Sequence, residues 1–180
     1  VCELPNSIEL IGGENIVVKN CQLGAQPTGI TCKVQEVNKL SFINNQVYPD
    51  GRENLVLDAC NNCVIEGNNF KSYYNGILVL NGNDNTVNKN IFWLTGAVQN
   101  QLLDHGDDFG IINVKGNNNM VASNSLSCEW AYAGAVTVNA VQGTGNVFKN
   151  CFVDNLESYR VFLVNAQTEV SNCVSSDKVS

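Results

Sequence analysis

Apolar and polar positions along this chain alternate in short bursts, and no burst sustains helical spacing. One motif recurs: an apolar residue, two positions, Asn, then an apolar residue two further on. It reads Val17-Val-Lys-Asn20, Phe42-Ile-Asn-Asn45-Gln-Val47, Ile65-Glu-Gly-Asn68-Asn-Phe70, Val87-Asn-Lys-Asn90-Ile-Phe92, Val121-Ala-Ser-Asn124-Ser-Leu126 and Val147-Phe-Lys-Asn150-Cys-Phe152, with a looser copy at Asn172-Cys-Val174. The Asn-to-Asn steps are 25, 23, 22, 34, 26 and 22. A nearly fixed period in this range marks a solenoid. Each repeat also holds a second apolar segment before a Gly/Asn-rich turn, as at Ile77–Leu80, Ile111–Val114 and Ala135–Val138. These segments are short, alternating and rich in branched residues, which predicts strands.

Several short strands per period predict an all-β chain, a right-handed parallel β-helix of about seven coils forming one domain over 1–180. Two inward columns are expected: Ile30, Leu55, Leu78, Ile112, Val136, Phe162, and two residues on Cys32, Leu57, Leu80, Val114, Val138, Val164. Between them Thr31, Val56, Val79, Asn113, Thr137 and Leu163 point outward. Three of these are apolar, which calls for cover by a loop or a second subunit, and a homo-oligomer is expected. The recurrent Asn suits a bend in the left-handed region, with its amide bonded to the next coil's Asn. The first coil begins almost at Val1 with no capping helix, so a chain truncated at its N-terminus is expected, and the polar stretch 168–180 reads as the C-terminal stop.

Composition narrows the function. The chain has 180 residues, 44 % hydrophobic and 15 % charged, with net charge -7. That balance argues against nucleic acid and against an anionic membrane as partner. No apolar run is long enough to span a bilayer. Eight cysteines, an even count, favour an oxidising compartment and thus an extracellular, secreted protein. Cys60-Asn-Asn-Cys63 has zinc-knuckle spacing, but no second such pair and only one His, His105, accompany it. A disulfide or a pair of core thiols fits better. Cys151 and Cys173 fall in successive coils, as either a disulfide or stacked thiols. No metal site and no cofactor is expected.

Candidate chemistry gathers in two places. The 34-residue step carries an insertion over Trp93–Phe109 holding Trp93, Asp104, His105, Asp107 and Asp108. An aromatic ring beside carboxylates suits a sugar, and the same carboxylates suit Ca²⁺. A solvated acidic loop is the bland alternative. A second cluster holds Asp50, Arg52, Glu53 and Asp58, with Tyr73 and Tyr74 one coil later. Glu36, Glu66, Glu129, Asp154 and Glu157 read as scattered over turns. Paired carboxylates on adjacent coils suit glycosidic chemistry.

The stretch Tyr74-Asn-Gly-Ile-Leu-Val-Leu-Asn-Gly-Asn-Asp-Asn85, the run from Gly106-Asp-Asp-Phe-Gly110 to Asn124, and the turn Gly143-Thr-Gly-Asn-Val147 resemble the C-terminal half of the inulin fructotransferases. The resemblance is clearest from Asn54 to Asn155. It implies a right-handed β-helix of the pectate-lyase-like kind, assembled as a trimer with sites between subunits. It also implies a lyase that cleaves fructan by intramolecular fructosyl transfer to a cyclic difructose anhydride. The family's acidic pair falls near Asn20 and Gln35, both amides here, with Glu36 adjacent. The resulting assignment gives Glu36 and Asp58 the chemistry, with Asp50, Arg52, Tyr73, Tyr74, Trp93, Asp104 and Asp108 contacting a fructan-like oligosaccharide or polysaccharide. The alternative is a non-catalytic glycan-binding or structural extracellular β-helix without the acid pair. A pectate-type lyase would need bases that this chain has few of.

Overall fold

The computed structural model describes residues 2–4, 7–25, 30–49, 53–72, 76–95, 110–128, 136–155 and 160–175. Three parallel sheets are visited in turn. The first contains β1 (Cys2–Leu4), β4 (Cys21–Ala25), β7 (Gln46–Pro49), β10 (Asn69–Ser72), β13 (Ile91–Leu94), β16 (Ser125–Cys128), β19 (Phe152–Asn155) and β22 (Val174–Ser175). The second contains β2 (Ile8–Glu14), β5 (Cys32–Asn38), β8 (Leu55–Asp58), β11 (Leu78–Asn81), β14 (Ile112–Val114), β17 (Val136–Ala140) and β20 (Arg160–Val164). The third contains β3 (Val17–Lys19), β6 (Ser41–Ile43), β9 (Val64–Glu66), β12 (Thr86–Asn88), β15 (Met120–Ala122), β18 (Val147–Lys149) and β21 (Glu169–Ser171). This is the right-handed parallel β-helix that the repeat predicts, with seven strands in each of two sheets and eight in the other. The 168–180 stretch does not stop the helix at once, since β21 and β22 continue it to Ser175.

The core is a set of axial columns. In the third sheet Val18, Phe42, Ile65, Val87, Val121, Phe148 and Val170 stack in register. The first sheet stacks Leu23, Val47, Phe70, Phe92, Leu126 and Val153. In the second, Ile8, Cys32, Leu55, Leu78, Ile112, Val138 and Phe162 form one column. Two rungs of the expected columns are therefore corrected: Cys32, not Ile30, stands beside Leu55, and Val138, not Val136, beside Ile112. A shift of two residues keeps every side chain on its face, so alternation alone cannot fix it. Thr31, expected outward, is buried, because the column it was assigned to begins at Glu9 and Lys33. Val79 and Asn113 are only 9 % and 2 % exposed within the single chain, so at those two rungs the outward face needs no second subunit to cover it. Val56 and Leu163 remain half-exposed.

The bend and the amide ladder turn out to be two adjacent positions. Asn20, Asn44, Gly67, Lys89, Ser123, Asn150 and Asn172 all have φ between 51° and 68°. The ladder is the next residue. The Oδ1 atoms of Asn68, Asn90 and Asn124 accept the backbone N–H of Asn45, Asn68 and Asn90 at 2.8–2.9 Å, and each Nδ2 donates to the carbonyl of an earlier coil. At the ends Cys21, Cys151 and Cys173 hold the ladder position instead, so Asn20, Asn150 and Asn172 serve the bend alone. A second ladder, Asn85, Asn119 and Asn146, closes the corner between the second and third sheets, capped by the N–H of Cys63. An outer row, Asn61, Asn83 and Asn117, runs beside it to Thr144. Every inner amide is saturated, which makes burial tolerable. Cys32, Cys60, Cys63, Cys151 and Cys173 are free thiols. Burial pushes the Cys32 thiol up to about 12 and Cys151 to about 11.

Candidate glycan-binding face

Each first-sheet strand turns its middle apolar residue into the core and its neighbours outward. The third residue after each ladder position therefore forms an external column. Lys71, Trp93, Ser127 and Asp154 are in register, and Tyr48 follows Val47, the partner of Phe70, so it stands beside Lys71. A parallel column holds Gln46, Asn69, Ile91, Ser125, Phe152 and Val174. The exposed aromatics among the described residues are Tyr48, Trp93 and Phe152, at 38 %, 37 % and 46 %, and all three stand on this face. The Lys71 ammonium sits 4.5 Å from the centre of the Trp93 ring. Tyr48 Oη donates to Gln46 Oε1 at 2.6 Å, which fixes the phenol. Rings interleaved with hydroxyls, amides and charges are what a sugar requires, since it offers an apolar face and a rim of hydroxyls.

Trp93 is thus a strand residue and not part of the insertion, which leaves the described chain after Thr95 and rejoins it at Gly110. Asp154, expected in a turn, lies in β19, and Glu66 lies in β9 where it pairs with Lys89 at 3.0 Å. Asp50, Arg52, Tyr73, Tyr74, Asp104, His105, Asp107, Asp108, Glu129 and Glu157 lie outside the described residues. Tyr48 and Lys71 had escaped attention, although their constant offset from Asn45 and Asn68 marks them.

The second sheet carries the other candidates. Asp58, at the end of β8, is half-buried and accepts from Asn81 Nδ2 at 2.7 Å and from Gln35 Nε2 at 3.4 Å. Glu36 lies in β5, not in a turn, and is exposed with φ 55°. Its neighbours across the ladder, Gly12 and Ala59, share the left-handed conformation at 68° and 52°. This left-handed kink, repeated on three successive rungs with no residue inserted, turns both Gln35 and Glu36 away from the core, against strict alternation. Glu36 and Asp58 therefore sit on neighbouring strands along one edge. Asn20 stands at a different corner, between the third and first sheets, and does not approach Gln35.

Metal binding was tested against the donors present. Among the described residues no three His, Cys, Asp or Glu side chains gather. The Cys60 and Cys63 thiols are both buried and both face backbone carbonyls, of Val34 and Asp58 for Cys60 and of Val37 and Asn61 for Cys63. The hydrogen bond from Cys63 lowers the Cys60 thiol to about 7 while the Cys63 thiol is raised. Two soft sulfur donors suit a soft ion such as Cu(I).

A family model described as periplasmic copper-binding protein (NosD) matches residues 2–172. The chain belongs to the NosD family. No curated protein matches it. Among solved structures it is similar to the DFA-IIIase of Arthrobacter chlorophenolicus A6. Without its lid, that enzyme aligns at TM-score 0.78 and 21 % identity over 95 % of this chain and 49 % of the other. In complex with GF2 the values are 0.70, 20 %, 94 % and 47 %, and in complex with DFA-III 0.72, 18 %, 94 % and 50 %. This NosD-family chain spans about half the length of those structures. At such identity the likeness establishes the fold, and with it the resemblance to fructotransferase β-helices. Among the described residues no helix is long and apolar enough to cross a membrane.

Proposed function

We propose that the chain is an exported, carbohydrate-active β-helix that holds an oligosaccharide on the outward face of its first sheet. The observation that carries this is the gathering of Tyr48, Trp93 and Phe152 on that one face. The GF2 and DFA-III complexes of DFA-IIIase support a sugar ligand. The finer reading is fructosyl transfer at a second place, the second-sheet edge that carries Glu36 and Asp58, apart from the first-sheet face. A hydroxyl of the terminal sugar pair attacks the anomeric carbon, and the glycosidic C–O bond breaks. Of Glu36 and Asp58, one gives a proton to the leaving oxygen and the other takes one from the attacking hydroxyl, so a cyclic difructose anhydride departs without water. The half-exposed apolar Val56 and Leu163 support a homo-oligomer, with a trimer as the resemblance implies.

The test is calorimetric titration with inulin oligosaccharides alongside chromatography of the products. Trp93→Ala should weaken binding about tenfold, the loss of one stacked ring, with circular dichroism unchanged. Difructose anhydride that falls about 100-fold in Glu36→Gln or Asp58→Asn supports transfer. Binding without product supports a non-catalytic glycan-binding protein. No binding to any sugar rejects the proposal.

A second reading rests on the two buried thiols of Cys60 and Cys63. These thiols would hold Cu(I), and as thiolates they would supply two soft donors in a dry setting. Anaerobic titration of Cu(I) against a competing chelator should give one equivalent bound, with an ultraviolet thiolate-to-copper band. Cys60→Ser should abolish both, and a wild-type chain that leaves all Cu(I) with the chelator rejects this reading.

A further inference from the structure

We infer that the Tyr48–Lys71–Trp93 column selects an acidic sugar chain, a uronate-bearing polysaccharide laid along the helix axis; this rests on the reading that the first-sheet face holds sugar. The three residues occupy successive rungs, so their spacing is the inter-strand distance of about 4.8 Å. An extended 1,4-linked chain advances by close to one such rung per sugar. Three successive units would then meet a phenol, an ammonium and an indole in turn. The ammonium is the discriminating group. It rests over the Trp93 ring, a weak attraction at an exposed site, and the ring meets it from one side. An ammonium carries three N–H donors, which suit a carboxylate. A neutral sugar would have to displace the ammonium to reach the indole. A uronate can engage it where it stands.

The charge distribution on this face agrees. Among the described residues of its two outward columns Lys71 is the cation, and Asp154 stands two rungs beyond Trp93. The ion pairs Lys33–Glu9 and Lys89–Glu66 belong to the second and third sheets. The net charge of -7 therefore gives no general affinity for polyanions. Recognition is local, with Lys71 supplying the charge and Ser127 offering a hydroxyl.

The experiment compares hexameric oligogalacturonate with its methyl ester, which has the same backbone without charge, and with inulin oligosaccharides, by calorimetry on the full chain. The acid should bind at least tenfold more tightly than the ester. Lys71→Met should erase that difference, and Lys71→Arg should retain the preference. Trp93→Ala should weaken both ligands. Ester or inulin bound as well as the acid overturns the selectivity and leaves the sugar-binding face standing. An acid preference that survives Lys71→Met overturns the assignment to this column. Failure of every ligand to bind overturns the face itself.

Discussion

Gly116→Ala should lower the melting temperature by roughly 10 °C or prevent folding, the signature of a loss above about 3 kcal/mol in a chain of this size. Gly82, Gly116 and Gly143 stack at the corner between the second and third sheets, and a methyl built on Gly116 would fall on the carbonyl of Gly82. That carbonyl cannot yield, because it accepts Asn119 Nδ2 at 3.0 Å. Gly116's own carbonyl accepts Asn146 Nδ2 at 2.9 Å. The obstruction is backbone against backbone, with ladder amides holding both sides, so relief would mean breaking the stack over several coils. Lys115→Ala, one residue away and exposed, should change the melting temperature by no more than about 1–2 °C, the effect of a surface change. Thermal unfolding followed by circular dichroism gives the answer. A Gly116→Ala protein melting with wild type would mean the coils are not packed this closely.

Phe70→Ala should cost about 3–5 kcal/mol. Phe70 is fully buried and lies between two other rings, 5.0 Å from Phe92 at an interplanar angle of 4° and 6.3 Å from Phe42 at 13°. Truncation would remove the middle ring, and the flanking rings cannot close the gap because their strands are fixed by ladder hydrogen bonds above and below. Phe70→Leu fills most of the volume and should cost less than half as much. Denaturant unfolding of the two variants separates the cases: equal losses would show that the site collapses freely and that the ring stack contributes nothing particular.

The core was legible because solenoids repeat their constraints. Phe42, Ile65, Val87 and Val121 could be aligned by counting from the next Asn, and all four are neighbours in one column. Where the marker changed chemistry, counting slipped. At Asn20, Asn150 and Asn172 the visible Asn is the bend, and the ladder role has passed to a cysteine. At Cys32 and Val138 the two-residue ambiguity of a strand decided the error, since either register buries the same face. The proposed binding face is harder to see for a different reason. Carboxylates drew attention to connections between strands, whereas Tyr48 and Lys71 are strand residues with no motif of their own. Glu36 is expected in a turn and lies in β5, where its φ of 55° breaks the strand's alternation.

Amide rows stitch two of the three corners, and the third, between the first and second sheets, lies mostly outside the described residues. The chain passes from Ser72 to Leu78 at that third corner in one coil and from Leu94 to Ile112 in the next, yet Phe70 still meets Phe92 and Leu78 still meets Ile112. Length can thus be inserted there without disturbing any neighbouring winding. A segment grafted at that corner would inherit a rigid mount, and changes of specificity can accumulate along one seam of the molecule while its girth stays constant.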